Sequence, residues 1–153
     1  MKYWIAALLL SIGTIAQAGA LQPLRAADIP ALVASPAHGE RLIALWALDC
    51  AYCEPNLRAL ARLQQAHAGT IELVTVATDD FTQRKAIEER LHTAGVEAWK
   101  AYAYADATPE RMSYLLDSGW GGETPRVLVI RADGTRQGYS GELTEKQLRA
   151  ITP

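Results

Sequence analysis

The stretch Arg41-Leu42-Ile43-Ala44-Leu45-Trp46-Ala47-Leu48-Asp49-Cys50-Ala51-Tyr52-Cys53-Glu54-Pro55-Asn56-Leu57 decides how this chain folds. It opens on a short continuous apolar run, the pattern of a buried strand, expected over Arg41 to Leu48. Two cysteines follow at once, three positions apart. Beyond them Leu57, Leu60, Ala61 and Gln64 recur at helical spacing until Gly69 stops the helix. The pair therefore stands where a buried strand turns into a helix. Cys53, four residues before Leu57, is expected to face the core, with Cys50 one turn earlier at the solvent end. Sulfurs at this spacing close a disulfide with little backbone movement, and a helix N-terminus beside the first one stabilises its thiolate. Pro55 opposes a helix that starts at Cys50, because it would remove a helix hydrogen bond there. A start shifted toward Tyr52 avoids that cost and moves Cys50 away from the helix dipole.

Working outward, Ile71 to Thr78 reads as a second strand, and a helix follows from about Phe81 to Thr93, with Asp80 or Thr82 as N-cap and Gly95 at its end. Trp99 to Tyr104 reads as a third strand. Thr108-Pro109-Glu110 opens another helix, with Met112, Leu115 and Leu116 expected to pack inward. Arg126 to Arg131 is a fourth strand, which Asp133-Gly134 turns back into Thr135 to Ser140 as a hairpin. Thr144 and Gln147 have the spacing of a capping box for a terminal helix. The sequence thus predicts an α/β fold, a central mixed sheet flanked by helices that closes with an antiparallel hairpin plus a helix. Ahead of Arg41, residues 21 to about 40 read as a lead-in segment with a short helix over Asp28 to Val33.

Composition bounds the function. The chain has 153 residues, 15 basic against 17 acidic side chains and a net charge of −2, which argues against disorder and against a nucleic-acid partner. Residues 1–20 read as an export signal: Lys2, an apolar run from Trp4 to Ile15, and cleavage sites after Ala18 or Ala20. That run rises only about 18 Å as a helix, short of a hydrocarbon core of roughly 30 Å. The remainder, residues 21–153, is expected to be one exported, periplasmic domain, and a monomer in the absence of coiled-coil heptads. With two cysteines in all, the chain is no disulfide scaffold. His38, His67 and His92 have no ligand spacing to the pair, so neither a metal nor a cofactor is expected.

Trp46-x-x-x-Cys50-x-x-Cys53 at a strand–helix junction, with Thr124-Pro125 ahead of the closing hairpin, resembles the thioredoxin superfamily. Within it the chain is most similar to the exported TlpA/ResA/DsbE-like thiol-disulfide oxidoreductases, over roughly Arg41 to Ile151. The resemblance implies a thioredoxin-like fold and thiol-disulfide exchange with cysteine-containing exported proteins, in the reducing direction and fed by a membrane electron donor. It implies Cys50 as attacking thiolate, Cys53 as resolving thiol, Pro125 as a cis-proline, and a substrate-facing set of Trp46, Thr124 and Pro125. The chain departs from that pattern in carrying Asp49 before the first cysteine, Ala44 at the place of a buried Asp, and Asn56 at the place of a Glu. Glu54 is then the nearest carboxylate able to shuttle a proton to Cys53. A disulfide oxidase or isomerase, hinted at by Tyr52, and a binding module with a static bridge remain as alternatives.

Overall fold

In the computed structural model, which describes residues 19–152, the alternating strand and helix periods build one six-stranded mixed sheet. In chain order the elements are β1 (Gln22–Leu24), α1 (Ile29–Leu32), β2 (Glu40–Trp46), α2 (Cys53–Ala66), β3 (Ile71–Asp80), α3 (Arg84–Ala94), β4 (Lys100–Tyr104), α4 (Pro109–Leu116), β5 (Arg126–Arg131), β6 (Arg136–Ser140) and α5 (Glu145–Ile151). The strands lie in the order β1-β4-β3-β2-β5-β6. Strands β1, β4, β3 and β2 run parallel, and β5 and β6 close the sheet antiparallel.

Strand β2 sits in the middle because its side chains are apolar on both faces. Leu42, Ala44 and Trp46 join a core roofed by α2, α3 and α5, while Ile43 and Leu45 join a second core under α1 and α4. The capping box of α5 forms as expected, Thr144 and Gln147 each bonding the other's backbone. Asp80 accepts the Thr82 amide at 2.8 Å and caps a single 3-10 turn, Phe81–Gln83, that leads into α3.

Three expectations need correction. The lead-in segment is part of the sheet, since Gln22–Leu24 adds an edge strand parallel to β4. Pro23 hides this strand from sequence reading, yet an edge tolerates a residue that cannot donate. Trp99 precedes β4 rather than starting it, and its indole donates to Gln64 Oε1 of α2 at 2.9 Å. Leu115 does not pack inward: Met112 and Leu116 fill that side of α4, and Leu115 stays on the exposed rim.

Candidate active site

Parallel strands β2 and β3 end at the same edge of the sheet, and β5, antiparallel to β2, begins there. Leu45 pairs with Arg126, so the cysteine turn that follows β2 and the Thr124-Pro125 pair that precedes β5 come to one end of the molecule. This is where open α/β sheets generally keep their ligands. The Thr124–Pro125 peptide is cis, the isomer implied by the resemblance.

Cys50 and Cys53 are joined, with an S–S distance of 2.07 Å and Cα atoms 5.5 Å apart. Cys50 is the more open of the two, 9% exposed against 1% for Cys53, whose side chain points into the core between β2 and α2. Helix α2 begins at Cys53, with Tyr52 in the N-cap position and no side-chain cap. Pro55 thereby falls within the first turn, where no amide hydrogen bond is lost. The same start leaves Cys50 outside the helix, and Asp49 is exposed and does not cap it.

Trp46 is 1% exposed and belongs to the core cluster that contains both cysteines. Glu54 bonds within its own helix, its Oε1 accepting from Arg58 Nε at 3.1 Å and Nη2 at 2.6 Å. Thr124 is partly exposed and Pro125 buried beside β2.

Two residues that hold this end together were not singled out by sequence reasoning. Asp79, at the end of β3, accepts the Leu48 amide at 2.9 Å and anchors the turn that carries Cys50. Arg126, directly after Pro125, pairs with Asp117 at 2.7 Å and donates to Ser140 Oγ at 2.8 Å. Ser140 in turn donates to Glu123 Oε1 at 2.6 Å, a bond that with the neighbouring amides and Arg126 holds the Glu123 carboxyl below its ordinary range. The Trp120 indole donates to the Glu123 carbonyl at 2.6 Å, so the loop before Pro125 is fixed at both ends. Apart from the Asp79–Leu48 contact, these bonds join residues within the closing hairpin and the loop ahead of it, and a cis-proline motif is the only sequence signal that could have drawn attention there.

No protein-family model matches the sequence, and no curated protein does. Solved structures do match. A thioredoxin-related protein from Neisseria meningitidis serogroup B is 25% identical with a TM-score of 0.61, the match covering 76% of this chain and 84% of that one. A secreted disulfide oxidoreductase of Mycobacterium tuberculosis, homologous to E. coli DsbE, is 15% identical with a TM-score of 0.56 over 74% of this chain and 79% of that one. StoA from Bacillus subtilis is 15% identical with a TM-score of 0.53 over 76% and 84%. The fold is the thioredoxin fold, and it carries a Cys-x-x-Cys pair at disulfide distance.

Proposed function

We propose that the protein is a thiol-disulfide oxidoreductase that exchanges disulfides with cysteine-containing partner proteins through Cys50 and Cys53, acting as a reductase in an exported compartment. The observation that carries this is a joined Cys50–Cys53 pair following β2 at the end of the sheet to which the β2–β5 register also brings Thr124-Pro125, with Cys50 the less buried residue of the pair at 9% exposure against 1%. From the dithiol state, the Cys50 thiolate attacks one sulfur of a partner disulfide. The partner S–S bond breaks, a Cys50–partner mixed disulfide forms, and the released partner sulfur takes up a proton. Cys53 then loses its proton and attacks the Cys50 sulfur, which closes the Cys50–Cys53 bond and releases the second partner thiol. Two electrons pass to the partner, and a dithiol donor such as a membrane electron carrier restores them. The Cys53 proton passes to solvent or to Glu54, whose Oε1 is held by Arg58. The backbone at Thr124 offers strand-like hydrogen bonds to an extended partner segment.

The start of α2 supports the reducing direction. An oxidant owes its potential to a stabilised thiolate, and here the helix begins past Cys50 while a carboxylate, Asp49, precedes it. The export reading rests on the signal-like residues 1–20, of which 1–18 lie outside the described residues, and among the described residues no helix is long and apolar enough to cross a membrane.

Trapping tests the roles. Cys53→Ser is expected to accumulate partner proteins on Cys50 as mixed disulfides on non-reducing gels, and Cys50→Ser to accumulate none. Equal trapping by both variants would contradict the assignment.

A further inference from the structure

Asn56 is only 3% exposed and lies one helical turn after Cys53, yet both ends of its carboxamide are bonded to a loop at the far end of the chain. Its Nδ2 donates to the Gly141 carbonyl at 2.9 Å, and its Oδ1 accepts the Leu143 amide at 2.8 Å. Gly141 also donates its own amide to the Pro125 carbonyl at 2.9 Å. One residue, Gly141, is therefore gripped by the cysteine-bearing helix on one side and by the cis-proline on the other.

We propose that Asn56 is a positioning residue that sets the cysteine pair against the backbone at Thr124-Pro125, and so governs exchange with peptide disulfides but not with small ones. The inference rests on the exchange reading above and concerns how that site recognises its substrate. A peptide must lie along Thr124 while its sulfur meets Cys50, so the distance between α2 and the start of β5 enters its rate. A small disulfide needs only the sulfur. Asn suits the task because it gives one donor and one acceptor on the same planar group. A carboxylate at this position would set an oxygen against the Gly141 carbonyl, and an apolar side chain would leave the Gly141 carbonyl and the buried Leu143 amide unpaired.

The test compares reduced wild-type protein, Asn56→Asp and Gly141→Ala. Two probes share a leaving group: oxidised glutathione, and a synthetic peptide whose single cysteine is capped as its glutathione disulfide. Asn56→Asp is expected to lower kcat/KM for the peptide by about five- to tenfold, the effect of one lost hydrogen bond, with glutathione disulfide changed less than about twofold. Gly141→Ala leaves Asn56 in place and keeps the test available if the first variant does not fold. Its added Cβ meets open space, but its φ of +82° strains any residue other than glycine, so the same selective loss is expected. The double variant should lose little more than either single one, because both act through one link. Equal slowing with both probes, or an unchanged ratio between them in folded variants, would overturn the inference. Wild-type protein inert to both probes would overturn the exchange reading, and the inference with it.

Discussion

Thr75 stands beside Ala44 on the face of the sheet that α2 covers, fully buried, and its hydroxyl has no hydrogen-bond partner among the described residues. An isosteric apolar side chain removes that cost without opening a cavity. Thr75→Val is therefore expected to stabilise the protein by about 1 kcal/mol, seen as a higher urea midpoint at unchanged slope; a lower midpoint would show that the hydroxyl is bonded. Individual residues were legible where their chemistry is local. The cysteine pair, the Thr144–Gln147 box and the displacement of the α2 start by Pro55 all depend on neighbours within a few positions. Asn56 and Asp79 were not legible as anchors, because their partners, Gly141 and Leu143 in one case and Leu48 in the other, are fixed only by the fold.

Among the elements, β2, β3 and β4 are laced on one face by Arg41, Glu72 and Lys100, with Glu72 accepting from Arg41 at 2.8 Å and from Lys100 at 2.8 Å. Burial alone would push the Glu72 carboxyl up, but the bonds from Lys100 and Arg41 outweigh it and hold the group below its ordinary 4.5. A carboxyl lowered in the folded state contributes stability that is fully present above its unfolded value and is lost as pH falls through the folded one. Glu72→Gln is expected to cost about 0.5–1 kcal/mol at pH 7, as for other partly exposed pairs. The difference from wild type should shrink below about pH 4.5 in denaturant titrations. A difference independent of pH would assign the loss to packing. The strands and helices around this ladder were legible because each is long enough to show its period. β1 was not, since Gln22–Leu24 offers three residues and a proline, and its pairing with β4 is a tertiary fact.

For the whole molecule, a chain that alternates strand and helix and then closes with a hairpin makes the mixed α/β architecture legible in the sequence, while the strand order β1-β4-β3-β2-β5-β6 is set by tertiary pairing. The site could be read only as far as its chemistry. Cys50 and Cys53 declare a redox pair, while the frame that brings Thr124-Pro125 to it runs through Gly141, Arg126 and Ser140, residues with no motif of their own. Direction depends on how much the fold stabilises the reduced pair, and the late start of α2 leaves the Cys50 thiolate without the helix N-terminus that would stabilise it. The most direct measurement is the reduction potential of Cys50/Cys53 in the folded protein, by equilibration in thiol buffers and alkylation of free sulfurs. A reversible couple between about −300 and −200 mV is expected. A pair that opens only when the protein unfolds would make the bridge structural and contradict the account.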